Sequence, residues 1–125
     1  MRAPEAVQIC AHVALDKKAT DVLILQVDEV IGIADYFVLA TARNKRQLSA
    51  IAEQIRIDLK ALGGSKDHIE GYGSDRWVLL DFGSIVVHLF DAETRAFYDL
   101  ESLWADAPRV PVTEAPRLSG TDDGE

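Results

Sequence analysis

Two short apolar runs, residues 76–82 (RWVLLDF) and 85–90 (IVVHLF), are separated only by Gly83-Ser84. Two strand-like runs with a glycine at the junction form a β-hairpin, because a tight two-residue turn needs positive φ, and glycine adopts it at least cost. Side chains alternate faces along a strand, and directly paired residues share a face. An even-length turn therefore sorts this hairpin into two faces. One carries Val78, Leu80, Phe82, Ile85, Val87 and Leu89, and is wholly apolar. It must lie beneath helices. The other carries Trp77, Leu79, Asp81, Val86, His88 and Phe90. A carboxylate and an imidazole are costly to bury unless paired, and an indole beside them is costly to leave in water. Rings with a polar handle beside isolated charges are what protein-binding patches favour. The competing reading packs Trp77 under a loop, with Asp81 and His88 paired at the sheet margin.

The flanking sequence supplies the rest of a sheet and its covering helices. Residues 4–18 keep helical spacing at Ala6, Ile9, Cys10, Val13 and Ala14, with Pro4 suited to a first turn and His12 off the stripe. Residues 21–27 (DVLILQV) read as a strand buried on both faces at the centre of a sheet. Residues 36–41 (YFVLAT) form the next strand, and the short connection makes the pair antiparallel. Asp35, just before it, either caps a turn or presents a carboxylate at the sheet edge. Residues 44–62 make the longest helix, with Asn44 as N-cap, Leu48, Ile51, Ala52, Ile55, Leu59 and Leu62 as its apolar face, and Gly63-Gly64 as its stop. Residues 65–75 are polar and glycine-rich, with a short strand at 68–70 and Tyr72 on a loop tip. Residues 93–106 read as one helix, with Ala96, Phe97, Leu100, Leu103 and Trp104 on its apolar stripe and Tyr98 partly exposed beside it. The order predicts one domain over residues 1–107, a mixed sheet covered by helices in the α/β (α+β) class. Residues 108–125, rich in Pro, Gly, Ser, Thr and acids, read as a disordered acidic tail.

Charge and composition narrow the function. The formal net charge is −8, and residues 108–125 account for only −2 of it. Nucleic-acid binding by counterion release needs clustered Lys and Arg, so little direct nucleic-acid contact is expected, whereas a basic protein would be attracted. The single cysteine, Cys10, excludes an intramolecular disulfide framework and any multi-cysteine metal site. It reads as a small buried hydrophobe. No run approaches the roughly 20 apolar residues of a membrane span, and the first ten residues lack a signal-peptide pattern. His12, His68 and His88 are scattered, with no metal-binding spacing, and neither a P-loop nor a GxGxxG occurs. No cofactor or metal is expected. One pattern has a chemical echo. Gly83-Ser84 followed by Asp91-x-Glu93 is similar to the Gly-Ser and paired acids of nucleotidyltransferases, where the acids hold Mg²⁺. Here the gap is short, and acids at the start of a helix have an electrostatic reason of their own.

Segments LDKKATDVLILQVDEVIGIADYFVLAT, RQLSAIAEQI and WVLLDFGSIVVHLFDAETRAFYDLESLW resemble the ribosomal silencing factor, or Iojap-like, family over residues 11–107. IADYFV, WVLLDFG, VVHLF and FYDLESLW occur in the family's order. A departure at 41–44 (TARN) touches only a loop. The resemblance implies a fold similar to nucleotidyltransferases without their catalytic acids, and no enzymatic activity. It implies binding to the large ribosomal subunit through its fourteenth protein, a small basic protein at the subunit interface. Such binding blocks joining with the small subunit and represses translation, notably when nutrients are scarce. A homodimer in the free state, a bacterial cytoplasmic location and a part in large-subunit maturation are further implications. The candidate partner-binding residues are Trp77, Leu79 and His88 at the apolar centre, Asp75 and Asp81 answering basic groups, and Tyr98 and Glu101 extending the patch.

Overall fold

The hairpin forms in the register its alternation predicts: β4 (Trp77–Asp81) pairs antiparallel with β5 (Ile85–Phe90), setting Trp77 opposite Phe90, Leu79 opposite His88 and Asp81 opposite Val86. Gly83 takes φ +88° at the turn. The computed structural model describes residues 2–28, 34–63, 68–70 and 76–113. Around the hairpin the chain runs α1 (Ala3–Asp16), β1 (Thr20–Gln26), β2 (Tyr36–Thr41), α2 (Lys45–Ala61) and β3 (His68–Glu70). After β5 come α3 (Ala92–Tyr98), α4 (Leu100–Leu103) and β6 (Arg109–Val110). The strands make one mixed sheet in the order β3-β4-β5-β2-β1-β6, antiparallel except where β2 and β5 run parallel at its centre.

Both long helices lie on the sheet face that the hairpin leaves wholly apolar. α1 contributes Ala6, Ile9, Cys10, Val13 and Ala14, and α2 contributes Leu48, Ile51, Ala52, Ile55 and Leu59. They close over Ile24, Val38, Ala40, Val78, Leu80, Ile85, Val87 and Leu89. Phe82 stays at the rim, packed against this core but only partly buried. The Asn44 side chain caps α2 by accepting from the Gln47 amide, and Gly63 ends it at φ +90°. Burial pushes the Cys10 thiol far up, which makes it an inert core residue.

Three expectations require correction. β1 is not central; it lies between β2 and the two-residue β6, and its apolar run is explained by partial cover on both faces. The chain beyond residue 107 does not begin as a disordered tail. Arg109 and Val110 pair with Leu25 and Ile24, and Val110 and Val112 pack on the main core. Gln8 of α1 holds the continuation with two bonds, donating to the Pro111 carbonyl (2.9 Å) and accepting from the Thr113 amide (2.9 Å), while the His12 ring lies 2.6 Å from the Thr113 carbonyl. Residues 114–125, like Tyr72 and Asp75, lie outside the described residues. Finally, residues 93–106 are two short helices, broken at Asp99, which sits in the left-handed region at φ +50°.

Candidate functional site: an aromatic face open at one end

On the sheet face away from α1 and α2, a second core gathers Leu25, Phe37, Leu39 and Phe90 under Leu100 and Ala107, with Trp77, Val86 and Trp104 partly buried at its edge. Its rings form a continuous series. Trp104 meets Phe37 at 5.8 Å, Phe37 meets His88 at 4.9 Å, His88 meets Trp77 at 6.0 Å, and Trp77 meets Tyr98 at 4.7 Å. Phe97 ends the series, edge-on to Tyr98 at 5.0 Å. Such pairs add about 0.5–1.5 kcal/mol each beyond area burial, so the series braces the face.

The series is covered at its middle and open at the Phe97 end. His88 is only 5% exposed, whereas Tyr98 is 50% and Phe97 is 79% exposed, and Leu103 of α4 is also largely in solvent. Phe97 and Leu103 therefore leave the buried stripe expected of a single helix. The cause is Arg95, a residue that sequence reasoning passed over. Its guanidinium is buried and grips three other elements: Nε and Nη2 each lie 2.9 Å from Glu101 Oε2, and Nη1 donates to the Asp21 carbonyl (2.6 Å) and to Thr41 Oγ1 (2.9 Å). It also lies 5.7 Å from the Phe90 ring centre. The Asp21 carbonyl is available because β1 carries an irregularity there. Three steps from Thr20 to Leu23 face two from Thr41 to Leu39, and Asp21 takes φ +51°. With Arg95 and Thr94 turned inward, the opposite side of α3 puts Glu93 and Phe97, one helical turn apart, into water. No sequence periodicity announces this, because an Arg on a short helix normally faces solvent.

The expected site residues fall into different roles. Trp77 and Leu79 are half-buried at the surface of the outer face, and Tyr98 joins Trp77 there. His88 is corrected from a surface contact to a buried support. The Trp77 indole donates to its Nδ1 (3.4 Å), so the proton sits on Nε2, which has no partner among the described residues. Desolvation lowers its pKa from 6.5 to about 4, so it stays neutral near pH 7. Asp81 is not paired with His88; its carboxylate accepts from the Gly83 amide (2.8 Å) and holds the hairpin turn. Glu101 is corrected from a free contact to the counterion of Arg95. Asp91, of the nucleotidyltransferase-like pattern, caps α3 by accepting from the Thr94 amide (2.7 Å), and hydrogen bonding from the Thr94 side chain, with lesser help from that amide and Arg76, holds its carboxyl below the usual range. Arg76 approaches both acids, 3.8 Å from Asp91 and 3.4 Å from Glu93. The pair thus serves a helix start and an ion pair.

The comparisons with known proteins agree with this architecture. The family described as "Ribosomal silencing factor during starvation" matches residues 1–124. The chain belongs to the ribosomal silencing factor family. The match extends past residue 107, where the resemblance had been expected to stop. A ribosomal silencing factor from Halalkalibacterium halodurans is 38% identical over 86% of this chain and 92% of its own length. A crystal structure of a Chromobacterium violaceum protein superposes with a TM-score of 0.80 at 29% identity, covering 92% of this chain and 96% of that one. A mouse protein named for mitochondrial assembly of the ribosomal large subunit is 37% identical over 70% of this chain and 40% of its own length. Family members thus carry names for silencing and for ribosome assembly. Among the described residues, no helix is long and apolar enough to cross a membrane, and no three His, Cys, Asp or Glu side chains gather as metal ligands would.

Proposed function

We propose that this silencing factor binds the large ribosomal subunit through its fourteenth protein, and by occupying that face blocks joining with the small subunit and represses translation when nutrients are limiting. The observation that carries this reading is the open end of the aromatic face. Phe97, Tyr98 and half-buried Trp77 sit on an acidic protein that belongs to a ribosomal family. Trp77, Leu79 and Tyr98 form the contact, with Asp75 and Asp81 answering basic groups. His88 and Glu101 support them from beneath. The mechanism is steric and needs no catalytic group or cofactor; Asp91 is engaged with the Thr94 amide and Glu93 with Arg76. The free protein is a homodimer that uses the same face, so dimerisation competes with ribosome binding. Its place of action is the bacterial cytoplasm.

The test is a sucrose gradient of purified subunits under joining conditions, with and without the protein. The joined peak falls and the protein travels with free large subunits. Unchanged joining without co-migration refutes the reading. Tyr98→Ala weakens co-migration by ~2 kcal/mol, the scale of an interface anchor, and leaves the thermal transition in place. A second reading, large-subunit assembly, is favoured by the mouse relative's name. In that case, cells lacking the protein accumulate immature large subunits, while purified mature subunits join normally in its presence.

A further inference from the structure

Between α3 and the start of β4 lies a groove of about 450 Å³, lined by Arg76, Trp77, Glu93, Thr94, Phe97 and Tyr98. Its walls are aromatic. Phe97 stands at 86° to Tyr98, and Tyr98 at 47° to Trp77, so the rings present faces in more than one direction. Its polar lining includes Glu93, 3.4 Å from the Arg76 guanidinium, and Asp91 at the start of α3 lies 3.8 Å from the same guanidinium. Glu93 is strongly exposed, at 85% for its side chain. We infer that this groove seats an arginine side chain of a basic protein partner, its guanidinium stacked on the Phe97 ring beside Tyr98 and paired with Glu93. Aromatic faces attract cations, and a planar guanidinium stacks on them and pairs with a carboxylate at once, which the ammonium of lysine does less well. The same fold already uses this chemistry on the inner side of α3, where Arg95 lies over Phe90 and pairs with Glu101. The net charge of −8 draws a basic partner to the groove.

The inference deepens the ribosomal reading and rests on it for the partner's identity, while the chemistry of the groove stands alone. Its test therefore starts without ribosomes. The full chain, labelled with ¹⁵N at the indoles and assigned with Trp104→Phe, is titrated with N-acetyl-arginine amide and, separately, with the norleucine and glutamate analogues. The Trp77 indole signal shifts with the arginine amide at millimolar concentration and not with the other two. Phe97→Ala, at a position too exposed to unfold the chain, abolishes the shift, and Glu93→Gln reduces it. In co-sedimentation with large subunits, Phe97→Ala lowers affinity about tenfold, between an exposed and a fully desolvated cation–aromatic contact. An equal response to norleucine amide makes the groove merely apolar, and a response to glutamate amide alone assigns it to Arg76; either overturns the inference. Wild-type protein that shifts with arginine amide but does not bind large subunits refutes the ribosomal reading instead. Binding of large subunits left unchanged by both Phe97→Ala and Glu93→Gln refutes the groove's part in it.

Discussion

Replacing Arg95 with methionine keeps an unbranched apolar stem and removes the guanidinium. Three acceptors then lose their donor: the Glu101 carboxylate, the Asp21 carbonyl and the Thr41 hydroxyl. Glu101 is about a quarter exposed and recovers part of its hydration, so its share is discounted. Thr41 can turn its hydroxyl, and the Asp21 carbonyl takes most of the remaining loss. The expected cost is about 3 kcal/mol, the lower end of the range for breaking a buried pair. For a chain of this size that lowers Tm by roughly 10 °C. Glu101→Gln keeps an acceptor beside Arg95 and costs about 1 kcal/mol. Because the two side chains share one interaction, the double substitution costs less than the sum. Urea denaturation of the four proteins measures all three quantities. Loss below about 1 kcal/mol for Arg95→Met, or strict additivity with Glu101→Gln, refutes the view that this guanidinium holds α3 and α4 to the sheet.

A neutral buried His88 makes stability depend on pH in a defined direction. The unfolded imidazole takes up a proton near pH 6.5 and the folded one only near 4, so the stabilising difference is intact above 6.5 and is lost as pH falls between these values. The loss approaches ~3 kcal/mol in the limit, and His88→Phe flattens this part of a denaturation-midpoint profile against pH. Asn44→Ala removes the side-chain acceptor of the Gln47 amide and lowers stability by about 1 kcal/mol in the same urea assay. A chain ending at Ala107 loses the partial burial of Val110 and Val112 and the two Gln8 bonds, about 2 kcal/mol together, whereas one ending at Thr113 keeps them. Equal melting of the two truncated chains would mean that β6 contributes nothing.

Legibility tracked sequence separation. The hairpin register, the α1 and α2 apolar faces, the Asn44 cap and the Gly63 stop are set by neighbours within a few residues, and all were readable. The antiparallel β1–β2 pairing followed from a short connection. What escaped depends on partners far along the chain. β6 is two residues long, and what holds its continuation is Gln8, more than 100 residues away. The inward turn of Arg95 depends on a guanidinium bond that reaches back to Asp21, 74 residues earlier. His88 was read as a surface group because a strand position alone does not reveal what covers it, and the rings of Phe37 and Trp77 do.

α3 inverts the ordinary logic of a surface helix. It buries Thr94 and Arg95 and offers Phe97 and Tyr98 to water, although burying a phenylalanine would contribute roughly 2 kcal/mol and burying an arginine demands a full set of acceptors. The fold supplies those acceptors through an irregular β1, a left-handed Asp99 and a dedicated Glu101, three local costs accepted to hold one orientation. Rotating α3 by half a turn would turn Phe97 toward the sheet, but it would carry the Glu93 carboxylate inward with it and take Tyr98 off Trp77. The Arg95 cluster is the part of the fold that keeps Phe97 and Tyr98 at the surface.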